Sequence, residues 1–299
     1  MISTAFINNS ANNIICRSKF YNQFAAKKPS ANSWILSFSD GKILYREKDG
    51  EMDFLTFGKV EAHFMQDNEK SELPVYIYLF SIDEEDFFLM DLRDQMFEGF
   101  TYHRMFETRR QYPKEYVLAA ATGWHLYVWY RDNQFCGRCA KRLVHDEHLR
   151  MLKCPSCGNM VFPKIAPAVI VGVTNGDKIL MTKYAGREYK KYALIAGFTE
   201  IGETAEQTVE REVMEEVGLH VKNIRYYKSQ PWGYDSDLLL GYFCELAEEH
   251  EIELDETELS LAEWVDYKDV PDDPEGLSLT REMMLTFRER KKREHGELS

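Results

Sequence analysis

The 299-residue sequence predicts an α/β protein: an α/β/α sandwich over residues 163–299, preceded by a small ribbon at 132–162 and a mixed, strand-rich N-terminal domain at 1–131. Three observations carry this reading. Short valine-rich or aromatic runs bounded by turn residues recur along the chain, as strands do. One amphipathic helix, at 205–217, interrupts them in the C-terminal part. Two C-x2-C pairs separate that part from the first. A composition of 44% hydrophobic residues supports packed cores rather than a disordered chain.

In chain order, the runs 34–38 and 43–45 flank an S-D-G turn, and 75–80 and 87–90 flank the acidic S-I-D-E-E-D, so short strands are expected through residue 112. His63 and His103 stand isolated and read as surface or satisfied residues. Residues 114–132 read as a largely buried helix with Pro113 near its first turn, although Gly123 weakens the pattern. Trp124 and Trp129, at helical spacing, are expected to pack in the core.

Cys136, Cys139, Cys154 and Cys157 form two C-x2-C knuckles separated by fourteen residues. Two such turns brought together supply four thiolates to a tetrahedral zinc and leave no open coordination position, so the metal is expected to be structural. The alternative is a pair of disulfides, which a reducing compartment disfavours. Arg138, Lys141, Arg142, Arg150 and Lys153 cluster around the knuckles, so a nucleic-acid-binding ribbon is a rival reading. A net charge of −13 argues against broad nucleic-acid or anionic-membrane binding, and any anionic substrate must be captured locally. The opening M-I-S-T-A-F-I-N-N-S lacks a basic start and an apolar run, and no stretch approaches membrane-spanning length, so a cytoplasmic location away from membranes is expected.

Beyond the ribbon, two apolar runs joined by N-G-D at 175–177 predict a hairpin, and 193–196, 224–227, 238–246 and 263–265 predict further strands. A last helix is expected at 278–293, ending in the basic R-E-R-K-K-R. Helix 205–217 has Thr204 and Gln207 as a capping box, an apolar face of Ala205, Val209, Val213 and Val217, and Gly218 as its stop. Glu212, Glu215 and Glu216 lie within one turn beside that face, with Glu203 just ahead. The i,i+4 pair Glu212 and Glu216 repels by roughly 0.2–0.5 kcal/mol, and the last two glutamates face the negative end of the helix dipole. An offsetting cation is expected. Magnesium or manganese, which take oxygen ligands, fit, and Arg211 is placed to pair with Glu215. A solvated acidic face is the plainer alternative.

The spacing G-x5-E-x7-R-E-V-x-E-E-x-G-L, occupied by Gly197, Glu203, Arg211, Glu212, Val213, Glu215, Glu216, Gly218 and Leu219, resembles the Nudix box at every defined position. Ser229-Gln230-Pro231-Trp232, with the ribbon before the domain, resembles the NADH pyrophosphatase subfamily, although Gly233-Tyr234-Asp235 departs from the subfamily's proline-aromatic-proline continuation. The resemblance covers roughly residues 132–299. It implies an enzyme, an NAD+/NADH diphosphatase that releases nicotinamide mononucleotide and AMP and removes NAD caps from RNA. It also implies that Glu203, Glu212, Glu215 and Glu216 hold the catalytic metals, that Phe198 stacks on the nicotinamide, and that Phe162, Gln230 and Trp232 line the pocket of a homodimer. A subfamily glutamate falls at Leu261, so either the box glutamates suffice or another acid, Glu263 being nearest, has taken its place. The box reads phosphates only. ADP-ribose or a nucleoside triphosphate therefore stays open as substrate, as does a ribbon that binds RNA beside a nucleotide-sensing domain.

Overall fold

The computed structural model describes residues 18–66, 72–186, 191–273 and 276–298. Residues 1–10, read above for a leader, lie outside them. The described chain divides into two units: one runs to Lys164 and also takes in Gly233–Ser236, and the other comprises Ile165–Trp232 and the residues from Asp237 onward.

Ahead of the ribbon, the first unit holds two small sheets. One orders β1 (Phe20–Tyr21), β7 (Tyr76–Ile82), β8 (Glu85–Met90), β2 (Trp34–Leu36) and β6 (Leu55–Thr56); the other is built on β4 (Lys42–Lys48), which pairs β3 (Phe38–Ser39), β5 (Glu51–Asp53) and β9 (Thr101–Arg104). The S-D-G turn closes β3 onto β4 with Asp40 and Gly41 at φ 47° and 75°, the left-handed pair that a tight hairpin needs. The acidic turn is shorter than the sequence suggests, since the strands run on to leave only Asp83 and Glu84 between them.

Strands do not account for the whole segment. Phe57–Gln66 is a helix, α1, whose Phe57, Val60 and Phe64 at i, i+3 and i+7 pack into the same core as Ile35, Leu44 and Phe88. That spacing was legible but embedded among strand-like runs. α2 (Lys114–Asp132) matches its expected bounds. Gly123, which weakens the helix locally, is required by packing: a Cβ there would lie 2.5 Å from Leu36 Cδ1 and 3.2 Å from Phe38 Cζ. Trp129 is buried beside Cys136 and Leu152, and Trp124 packs edge-on to Phe38.

The second unit is a six-stranded mixed sheet between two helices. Its order is β16 (Val221–Trp232), β17 (Asp237–Leu246), β13 (Ala166–Asn175), β14 (Lys178–Tyr184) and β18 (Leu259–Asp266), with β15 (Ile195–Phe198) also paired to β13. β13 and β17 are parallel and the other pairs antiparallel. One face packs on α3 (Ala205–Val217) through Val169, Val171, Leu180 and Tyr242, and the opposite face packs on α4 (Leu279–Glu294) through Ala168, Ile170, Met181 and Leu239. Val209, Val213 and Val217 expose nothing, and each contributes roughly 1.5 kcal/mol or more by leaving water. Among the described residues no helix is long and apolar enough to cross a membrane.

Candidate active site

The sequence of α3 fixes where it starts and which way it faces. Thr204 Oγ1 accepts from the Gln207 amide at 3.2 Å, Gln207 Oε1 accepts from the Thr204 amide at 2.9 Å, and Gly218 at φ 67° ends the helix. With the valine stripe locked into the core, Glu212 and Glu216 are turned inward at 8% and 2% exposure, while the Glu215 side chain stays largely in solvent. Glu212 lies directly under Gly197: a Cβ at 197 would stand 1.9–2.2 Å from the atoms of its carboxylate. Only glycine admits that approach.

Arg211 joins the carboxylates. Its Nε and Nη2 donate to the two oxygens of Glu203 at 2.6 and 2.9 Å, its Nη1 to Glu212 Oε1 at 2.7 Å and Glu215 Oε2 at 2.9 Å, and its Nη2 also to the Phe198 carbonyl at 2.9 Å. Glu203 accepts as well from the Glu200 amide and from the buried hydroxyl of Thr208, at 3.1 and 3.0 Å. Both its oxygens are thus engaged, and what it does here is orient Arg211 and the loop ahead of the helix. Thr208 was passed over in the sequence, although its position four residues after Thr204 puts its hydroxyl on the capped end.

Glu203 and Glu212 titrate in opposite directions. The Arg211 fork holds Glu203 down at about 2, from an ordinary 4.5, so this pair stabilises the fold above the ordinary glutamate range and is lost as pH falls toward 2. Burial pushes Glu212 up; the charges of Glu215 and Glu258 add to this, and Arg211 opposes it. The ionised form of Glu212 therefore costs stability as pH rises through its raised pKa, a cost that a bound cation would offset. An all-oxygen set around a cleft that a single Cβ would fill suits a hard divalent ion.

Phe198, Gln230 and Trp232 belong to the other face of the sheet. Phe198 pairs with Ala168, Ala168 with Leu239, and Leu239 with Gln230, so Phe198 and Gln230 stand in one cross-strand row on the α4 face, about 14 Å apart at three strand spacings. Trp232 packs on the same face. Ser229–Trp232 is the end of strand β16 rather than a turn. Phe198 is half exposed, whereas Gln230 is buried, donating from Nε2 to the Leu277 carbonyl at 2.8 Å. Phe162, half exposed, is the last residue of the ribbon segment and belongs to the first unit.

Leu261 and Glu263 pair with Lys183 and Met181 and share the α4 face, away from α3, where Tyr192 donates its hydroxyl to Glu263 at 2.5 Å. Glu263→Gln is accordingly expected to cost less than about tenfold in turnover, since the side chain binds a tyrosine and is turned from the box. Leu261→Glu, on the same face, is likewise expected to be tolerated with little change in rate or metal dependence. Steady-state rates with each metal test both, and abolition of turnover in a folded Glu263→Gln protein would reinstate Glu263 as the substituted acid.

The ribbon consists of β10 (Val144–His145), β11 (Leu152–Lys153) and β12 (Met160–Val161) and the two knuckles beside them. Each knuckle closes alike: the amides of Ala140 and Gly158 donate to the carbonyls of Cys136 and Cys154 at 2.8 and 3.0 Å, with both residues left-handed, φ 56° and 73°. The four sulfurs lie within 4.8 Å of one another, with neighbouring Sγ atoms 3.5–3.6 Å apart, close to the roughly 3.8 Å edge of a tetrahedron with Zn–S bonds of about 2.3 Å. All four are free thiols, which removes the disulfide alternative and supports a structural zinc. Among the described residues only this set already stands at ligand spacing; the box carboxylates are spread around Arg211. Of the basic residues nearby, Arg150 is spent on the carbonyls of Asn22 and Leu79, and Arg142 lies over the Phe135 ring.

A capped, glutamate-rich helix under a glycine strand, on a sheet between two helices, defines the class. Residues 164–287 match the NUDIX domain and residues 131–162 the NADH pyrophosphatase zinc ribbon domain, so the chain carries a NUDIX domain joined to that ribbon. Among similar proteins, the NAD-capped RNA hydrolase NudC of Pseudomonas aeruginosa is 38% identical over 157 residues, 52% of this chain and 56% of its own. That of Pectobacterium carotovorum is 37% identical over 165 residues, 55% and 63% of the two chains. The chain thus spans less than two thirds of the length of either relative. A NUDIX hydrolase crystal structure from Nitrosomonas europaea, 24% identical, covers 55% of this chain and 93% of that one with a TM-score of 0.46.

Proposed function

We propose that this protein is a metal-dependent hydrolase of the diphosphate in NADH and NAD+, releasing nicotinamide mononucleotide and AMP, and that it cleaves the same linkage at the NAD-capped 5′ end of RNA. The observation that carries the reading is the junction at Gly197 and Phe198. Consecutive residues there serve opposite faces of the sheet: Gly197 opens onto the Glu212 carboxylate, and Phe198 presents a half-exposed ring on the other side. A substrate with a diphosphate next to a flat base matches that pair of environments.

Glu212, Glu215 and Glu216 would hold two or three magnesium or manganese ions, which when bound lower the pKa of the attacking water and stabilise charge on the leaving phosphate. Glu203 keeps Arg211 in place, and Arg211 bridges Glu212 and Glu215 through its Nη1, offsetting their repulsion. Phe198 stacks on the nicotinamide, while Gln230 and Trp232 shape the same face of the sheet. We take the working form to be a homodimer in the cytoplasm, where a reducing medium keeps the ribbon's cysteines as thiols.

The decisive experiment is incubation with NADH, NAD+, ADP-ribose, a nucleoside triphosphate and NAD-capped RNA, first with Mg²⁺ and then with Mn²⁺. Release of nicotinamide mononucleotide is expected. Turnover of ADP-ribose or the triphosphate only would move the assignment to another NUDIX substrate, and RNA binding without turnover would favour the nucleotide-sensing alternative. Phe198→Ala is expected to weaken use of NADH more than of ADP-ribose, by roughly fivefold to tenfold for a stacking contribution of about 1 kcal/mol or slightly more. Equal losses on both substrates would remove Phe198 from nicotinamide recognition.

A further inference from the structure

The start of α3 is closed by Thr204 and Gln207, yet a further side chain is committed to the same end. Thr208 is fully buried, and its hydroxyl donates to Glu203 Oε2 at 3.0 Å and to the Thr204 carbonyl at 3.1 Å. One proton serves both acceptors, and the charged one is the stronger. The capping box already satisfies the first turn, so the helix has no need of this hydroxyl, and alanine at 208 would form the helix better. What the hydroxyl adds is its bond to Glu203.

Glu203 stands in the loop ahead of the helix, where Ile201 is fully exposed and Gly202 has a φ of 100°. Its Oε2 gathers Thr208, the Glu200 amide at 3.1 Å and Arg211 Nη2 at 2.9 Å, while Oε1 takes Arg211 Nε at 2.6 Å. Two side chains of the helix thus reach this carboxylate. Arg211 is long and partly exposed, whereas Thr208 is buried, β-branched and stiff at χ1. Thr208 therefore ties the carboxylate to the helix, and the guanidinium held on that carboxylate spans Glu212 and Glu215 at 2.7 and 2.9 Å. Resting on the metal-dependent reading above, we propose that Thr208 is a positioning residue of the site: its hydroxyl fixes Glu203, and through Glu203 and Arg211 it sets where the Glu212 and Glu215 carboxylates stand.

The test compares full-length, zinc-loaded Thr208→Val with the parent in NADH hydrolysis at saturating Mg²⁺, at a temperature where both are folded. The valine variant is expected to lose roughly fivefold to tenfold in kcat with KM within about twofold, because misplaced ligands slow the chemical step more than they weaken binding. Thr208→Ser, which keeps the hydroxyl, is expected to restore most of the rate, and Thr208→Ala, which suits the helix, to be as slow as the valine variant. Thr174→Val is the control: it removes another buried hydroxyl of the second unit, bonded to the Cys244 carbonyl at 2.9 Å, and is expected to lower the melting temperature without changing kcat. Folded valine and alanine variants with the parent's kcat, or a serine variant as slow as they are, would overturn this proposal and leave the metal-dependent reading standing. Failure of the parent to hydrolyse NADH would overturn that reading and this inference with it.

Discussion

Glu216→Gln is expected to fold and to lose at least about a hundredfold in turnover. The substitution preserves shape, and the side chain lies at 2% exposure on the inner face of a helix whose packing depends on Val209, Val213 and Val217. What disappears is one negative charge from the site proposed to hold more than one divalent cation against a diphosphate. A hundredfold corresponds to about 2.7 kcal/mol of transition-state stabilisation, a modest demand on a buried metal ligand. Measuring kcat with saturating Mg²⁺, alongside circular dichroism to check the helix, decides the matter. Near-normal turnover in the folded variant would sink the assignment of the box glutamates.

The second large effect concerns stability rather than rate. The purified protein is expected to carry about one zinc per chain, and Cys154→Ser to lose it. Cys154 is 1% exposed and packs with Trp129, Leu143 and Leu152, so the ribbon's small core and its metal support each other. Loss of a structural metal belongs with the substitutions that cost about 4 kcal/mol or more. At roughly 2–4 °C per kcal/mol, the melting temperature should fall by on the order of 10 °C, with lower solubility and little change in the rate of the molecules that remain folded. Metal analysis that finds no zinc in the parent protein, with the cysteines oxidised in pairs, would contradict the ribbon.

The contrast between these predictions follows from where the two sets of ligands sit. The thiols are already gathered within 4.8 Å of one another, the mark of a site built to be closed. The carboxylates are held around Arg211, and the raised pKa of the buried Glu212 makes its ionised form costly until a cation arrives. Metal binding at the box should consequently stabilise the second unit as well as activate it.

Much of the site was legible in the chain because its signals are local. The capping box at Thr204 and Gln207, the valine stripe at intervals of four and the stop at Gly218 specify α3 within its own residues, and the helical repeat then gathers Glu212, Glu215 and Glu216 on neighbouring positions. The cysteine knuckles are equally self-contained, each closing on its own backbone with a left-handed residue, Ala140 or Gly158, just past the second thiol. Arg211 pairs with Glu215 as an i,i+4 neighbour should.

Only the tertiary structure decided which groups share a surface. That Phe198 and Gln230 lie in one row, on the face opposite α3, depends on the pairing of β15, β13, β17 and β16, where partners such as Ala168 and Leu239 are far apart in the chain and no local period encodes their register. Ser260 acts in the same way, as an extra residue between the pairs Leu261 with Lys183 and Leu259 with Tyr184: alternation by two correctly puts Leu261 and Glu263 together, but the one extra residue turns Leu259 to the other face, into the α3 core. Sequence spacing determined the helix, the knuckles and the identity of the acids; cross-strand register, set by burial on both faces of the sheet, decided which of those acids meet.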